Sequence, residues 1–173
     1  MRELIATAAL LLIAPASASA QNTDHPYRGQ GYLFFGFGFG TGSPSAYHPV
    51  IDQVGFGGEG FLYKGLGAGA EASYASWGGN YNTAWIGSGD ISYHFGRHAR
   101  RFKADPFVLG GVSIVGPTQA GGGRGSPAGN FGCGANLWIA HHAALRFEFR
   151  DVVVASFWNF DHVIAFRVGV TFR

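Results

Sequence analysis

Charge is scarce in this chain. Only 13% of its 173 residues are Asp, Glu, Lys or Arg, against about 25% in ordinary soluble domains. A surface so poor in charge does not face water over most of its area. Long apolar runs are scarce as well. After the first 20 residues no stretch approaches the ~18 apolar residues that a membrane-crossing helix needs, which excludes a helical membrane protein. Cysteine is nearly absent: Cys133 has no partner for a disulfide and no neighbouring thiols for a metal site. No cysteine stands directly after the N-terminal apolar segment, so lipoprotein processing is not indicated. The net charge of +2 is too small to argue for nucleic acid as a partner.

Glycine and aromatic residues are abundant instead, with 29 Gly and 16% Phe, Trp and Tyr. The chain opens MRELIATAALLLIAPASASAQN, in which Arg2 begins a short charged start, Ala6 to Ala14 form an apolar centre and Ala18-Ser19-Ala20 is a small-x-small cleavage site. This is the pattern of a secretory signal peptide over residues 1–20. Residues 21–29 are then expected as an N-terminal periplasmic segment and residues 30–173 as one domain.

The most regular stretch is the last, Ala143 to Arg173. Leu145, Phe147 and Phe149 alternate with Arg146, Glu148 and Arg150, and Ile164, Phe166, Val168, Val170 and Phe172 alternate with Ala165, Arg167, Gly169 and Thr171. Only a strand turns a period of two into two faces. Ser156 to Asp161 joins the two halves, so the segment is an antiparallel hairpin whose arms match the ~9–11 residues that cross a bilayer at a tilt.

Six further strands precede it. Gly31 to Gly40 sets Leu33, Phe35, Phe37 and Phe39 against Gly36, Gly38 and Gly40. Gln53 to Tyr63 sets Val54, Phe56 and Leu62 against Glu59, and a tight Lys64-Gly65 turn leads into Leu66 to Trp77, with Glu71 and Ser73 on its polar face. Thr83 to Phe95 sets Trp85, Ile91, Tyr93 and Phe95 against Ser88, Asp90 and Ser92. Phe107 to Val115 has apolar residues on both faces. Phe131 to Ile139 alternates Phe131, Cys133, Ala135, Leu137 and Ile139 with glycine, Asn136 and Trp138. Thr41 to Ile51, Gly78 to Asn82, Gly116 to Ala128 and Ala155 to Asp161 are expected as outward loops. The turns at Lys64, Arg97 to Lys103 and His141 are expected at the periplasmic end. The fold class is therefore all-β: an eight-stranded antiparallel up-and-down transmembrane β-barrel.

A soluble eight-stranded barrel also alternates, but its exterior needs about a quarter to a third charged residues. The polar faces here offer chiefly Glu59, Glu71, Asp90, Arg146, Glu148, Arg150 and Arg167 among Gly, Ser, Ala and Asn. That suits a crowded lumen, with no open channel. Tyr63, Trp77, Trp85, Phe95, Phe107, Trp138, Trp158 and Phe172 are candidates for aromatic girdles at the lipid headgroups. Four acids and three arginines cannot be buried singly without a cost of several kcal/mol per ion, so those seven residues are assigned to one structural network. A symmetric final hairpin places Arg150 opposite Arg167 with Glu148 diagonal to it, and Glu59, Glu71 and Asp90 supply the balancing acid.

On these features the chain resembles the small outer-membrane β-barrels of the OmpA/OmpX type and the opacity type. PFVLGGVSIVG at Pro106 to Gly116, AALRFEFRD at Ala143 to Asp151 and the last strand ending in Phe172 carry the likeness. The resemblance implies outer-membrane lipid and the outer-membrane insertion machinery as partners, the latter reading the terminal aromatic; here Arg173 follows it. A structural role and a surface role, in which the outward loops engage an extracellular ligand, are both open, and nothing in Gly116 to Ala128 specifies that ligand.

No catalytic residue, cofactor or metal is expected. Gly55, Gly57 and Gly60 match GxGxxG without a following helix, Gly121 to Ser126 lacks a phosphate-loop lysine, and His141-His142 point to opposite faces of an extended chain. The enzymatic alternative is a lipid A acyl hydrolase or acyltransferase, for which Ser156, His162 and Asp161 are the nearest nucleophile, base and acid.

Overall fold

The computed structural model describes residues 28–41, 49–78, 82–95, 103–118, 125–154 and 162–173. Eight strands follow in order: β1 Gly29–Thr41, β2 Val50–Tyr63, β3 Leu66–Trp77, β4 Asn82–His94, β5 Ala104–Pro117, β6 Ser126–Trp138, β7 Ala143–Val154 and β8 His162–Phe172. Each pairs antiparallel with its sequence neighbour, and β8 pairs with β1 from Gly31↔Phe172 to Thr41↔His162. The sheet thus closes on itself and has no free edge. The proximal end of the barrel is the one where β1 begins and β8 ends; the distal end is the other.

The greasy half of each alternation points out. Leu33, Phe35, Phe37, Val54, Phe56, Ile91, Val112, Phe131, Phe147, Phe166 and Val168 are all exposed, whereas Glu59, Glu71, Asp90, Arg146, Glu148, Arg150 and Arg167 are buried inside. An outward surface of this kind is the reverse of a soluble barrel. β5 resolves in the same way, with Phe107, Leu109 and Val115 inward and Val108, Val112 and Ile114 outward.

The Lys64-Gly65 loop has positive φ at both central residues, 40° and 87°, the type I′ geometry that matches strand twist. A Cβ on Gly65 would also lie 2.4 Å from the His94 carbonyl oxygen. Gly65→Ala is therefore expected to cost about 1–3 kcal/mol, read as a lower urea midpoint in detergent.

Three expectations change. The segments expected as loops are shorter than predicted: Thr41, Val50 and Ile51, Gly116 and Pro117, and Ser126 to Ala128 all continue strands, because ladder pairing and burial outweigh local turn propensity. The final hairpin is not symmetric. Glu148 lies opposite Arg167, and Arg150 opposite Ala165. The two-residue slip keeps every side chain on its face and replaces a like-charge pair with an opposite-charge one. The girdle assignment fails for Phe107, which is 1% exposed in the lumen, and for Trp77, which packs against an internal apolar cluster. Trp158, the proposed signal peptide and the outward loop at residues 155–161 lie outside the described residues.

Candidate functional site

The lumen has three layers stacked along its axis. At the distal end Ile51, Ala75, Ala84, Ile86, Val115, Ala128, Val152, Val154 and Val163 form one buried apolar cluster. All nine lie in the distal halves of their strands, so the interior is greasy toward that end.

The middle layer is ionic. Arg150, fully buried, donates from Nε to Glu148 Oε1 at 2.7 Å, from Nη1 to Asp90 Oδ2 at 2.9 Å and from Nη2 to Glu71 Oε2 at 3.4 Å. Arg167 donates from Nη1 to Glu71 Oε1 at 2.8 Å and to Glu148 Oε1 at 3.2 Å, and from Nε to Gln53 at 3.1 Å. It reaches Gln53 across Gly36, where a Cβ would stand 3.0 Å from the Arg167 side chain. Glycine on the inner face of β1 is thus what lets the guanidinium cross the lumen. Arg146 holds Glu148 Oε2 through Nε at 3.0 Å and Nη2 at 2.8 Å. Its guanidinium lies 4.2 Å from the Tyr32 ring centroid and 4.1 Å from that of Phe107, a cation–π arrangement on both partners.

The proximal layer centres on Glu59. Gln30 Nε2 and Ser92 Oγ each donate to its carboxylate at 2.5 Å, and Arg146 Nη1 stands 3.8 Å away. His94, fully buried, faces Glu59 through Nε2 at 3.2 Å and Asp105 through Nδ1 at 2.8 Å. Both contacts are donated only when the imidazole carries both ring protons. Beneath it Thr171 donates to Asn136 at 3.1 Å.

All seven residues assigned to the network from sequence lie inside the barrel; Glu71, Asp90, Arg146, Glu148, Arg150 and Arg167 form one chain of contacts, and Glu59 joins at its proximal margin. Tyr32, Gln53, His94, Asp105 and Asn130 were missed. His94 shares the parity of Ser88, Asp90 and Ser92, and that signal was available. Asp105 sat beyond the expected start of its strand.

A separate pair lies toward the distal end. His162 Nδ1 donates to Asp151 Oδ2 at 3.0 Å, with Asp151 buried and the His162 side chain 42% exposed. The carboxylate bonded to His162 is therefore Asp151. Ser156 and Asp161 lie outside the described residues. Among the described residues no cluster of three or more His, Cys, Asp or Glu is arranged to hold a metal ion.

The interior leaves little room. The void beside Arg146, bounded by Tyr32, Glu59, Asp90 and Ser92, is about 10 Å³, the size of one water.

Solved structures share this architecture. The N-terminal β-barrel domain of Pseudomonas aeruginosa OprF superposes with a TM-score of 0.64 at 16% identity, covering 86% of this chain and 98% of that one. Neisserial surface protein A gives 0.67 at 11% identity over 83% and 96%, and the outer membrane protein OprG of Pseudomonas aeruginosa 0.60 at 8% over 86% and 96%. The chain has the fold of a small outer-membrane β-barrel. No protein-family profile matches its sequence, and no curated protein does. At these identities the likeness is one of backbone architecture, and the ionic layer is described from this barrel's own side chains.

Proposed function

We propose that this barrel is an integral outer-membrane protein, exported by a signal peptide cleaved after Ala20, with a structural or surface-interaction role. The observation that carries the reading is the reversal of polarity: phenylalanine, leucine, valine and isoleucine cover the outside while Arg146, Arg150 and Arg167 are sealed within together with Glu59, Glu71, Asp90 and Glu148. Water does not favour that exterior; hydrocarbon does. Outer-membrane lipid is then its solvent. The insertion machinery is the partner that meets Phe172 at the end of β8, and an extracellular ligand would meet the distal connections.

Heat modifiability tests the reading. The purified protein is expected to migrate faster on a gel unboiled than boiled and to need detergent for solubility. Identical mobility together with solubility in plain buffer contradicts it. Phe35, exposed at mid-strand in β1, gives a sharper check. Phe35→Arg is expected to cost about 2–4 kcal/mol, as for a cation near the bilayer midplane, measured by urea titration in lipid vesicles.

The filled lumen predicts no stepwise conductance in a planar bilayer, since the apolar distal layer and the ionic layer both span the interior. The reading is also non-enzymatic. The His162–Asp151 contact pairs a base with an orienting acid, so lipid A is the substrate to test against. Unchanged acyl chains by mass spectrometry, with and without the protein, are expected.

A further inference from the structure

We infer that the proximal rim of the barrel is a collar for anionic phospholipid headgroups, a docking surface for the phosphate of phosphatidylglycerol in the periplasmic leaflet. The inference rests on the proposed membrane reading and adds a lipid preference to it. Seven Lys or Arg residues are described. Arg146, Arg150 and Arg167 are buried in the lumen; the other four, Arg28, Lys64, Lys103 and Arg173, all lie at the proximal end. Arg28 precedes β1, Lys64 joins β2 to β3, Lys103 precedes β5 and Arg173 follows β8. Among the described residues no exposed acidic side chain accompanies them, because Glu59 and Asp105 at this end turn inward and are buried. The described acids outside the lumen, Asp52 and Asp151, are toward the distal end.

The four cations are spread around the circumference, at the β8–β1 seam, the β2–β3 turn and the start of β5. A single small anion would need them convergent; a planar array of headgroups fits them as they are. Aromatic rings sit beside them at the same end. Tyr63, Tyr93, Phe95 and Phe172 are exposed, and the Lys64 ammonium lies 4.9 Å from the Tyr63 ring centroid. Interfacial aromatics with cations just beyond them match the depth profile of a leaflet, with acyl chains below and phosphate above.

Each cation near an anionic surface is worth roughly fivefold in affinity. Native mass spectrometry of the full folded chain, in micelles doped with either phosphatidylglycerol or phosphatidylcholine, reads the preference. Gel mobility on the same samples reports whether the barrel is folded, so loss of the barrel reading and loss of the lipid preference are seen separately. Wild type is expected to retain phosphatidylglycerol over phosphatidylcholine. Arg28→Gln, Lys64→Gln, Lys103→Gln and Arg173→Gln combined are expected to cut that preference by at least roughly tenfold, while the charge-preserving set Arg28→Lys, Lys64→Arg, Lys103→Arg and Arg173→Lys keeps it. Should the glutamine set fail to fold, raised salt on wild type must abolish the preference instead. Equal retention of the two lipids by wild type, or an unchanged preference in the folded glutamine set, overturns the proposal.

Discussion

Arg150→Ala is expected to destabilise the folded barrel by about 3–5 kcal/mol, the usual cost of removing one partner from a buried ionic cluster. The guanidinium is fully buried and touches Glu148, Asp90, Glu71 and the side chain of Asn130. Its loss does not fall equally on them. Glu148 keeps Arg146 and Arg167, and Glu71 keeps Arg167. Asp90 loses its ion pair, and its other oxygen, Oδ1, already lacks a hydrogen-bond partner. The orphaned carboxylate should therefore dominate the penalty. Asp90→Asn added to Arg150→Ala is expected to recover part of the loss, since a neutral amide costs less to bury than an unpaired charge. Urea midpoints in detergent for the wild type, both single variants and the double variant test the assignment. An unaltered midpoint for Arg150→Ala means that the ionic layer does not hold the strands together.

Gly169→Val is expected to prevent closure of the barrel. Gly169 pairs with Phe34 on β1 and with Arg146 on β7, at the seam where β8 meets β1. A Cβ there would lie 2.2 Å from the Leu33 carbonyl oxygen and 3.0 Å from the Phe34 Cβ. The first contact is backbone, so no rotamer relieves it, and the cost exceeds the ~1–3 kcal/mol of ordinary overpacking. The fast-migrating unboiled band is expected to disappear. Gly89→Val serves as the contrast. Gly89 is exposed and a Cβ on it meets nothing within 4 Å, so the change is expected to stay within about 0.5 kcal/mol. Equal effects of the two valines would mean that lumen crowding does not dictate where glycine sits.

Alternation made most of this architecture legible. β3 was bounded at Leu66 and Trp77 by the Lys64-Gly65 turn and by the glycines after Trp77. The charged parity of Arg146, Glu148 and Arg150 marked the inner face of β7. What stayed hidden was set by packing across the lumen. Phe107 and Leu109 look like lipid-facing residues, yet they point inward, and Phe107 lies against the Arg146 guanidinium and the His94 ring. Tyr32 and Phe34 were submerged in the phenylalanine run of β1; they fit because the residues paired with them on β2 are Gly57 and Gly55. The slip of the last hairpin was equally unreadable. Parity fixes faces but leaves shifts of two residues open, and the register observed is the one that sets Glu148 opposite Arg167.

Cys133 offers the most direct test of which face meets hydrocarbon. It is the single cysteine of the chain, is exposed, and sits at mid-strand in β6 between Val108 and Phe149. A nitroxide attached there, with the protein refolded into bilayers, should relax strongly with dissolved oxygen and weakly with a water-soluble nickel chelate. Strong relaxation by nickel and weak relaxation by oxygen would place that face in water and contradict the account.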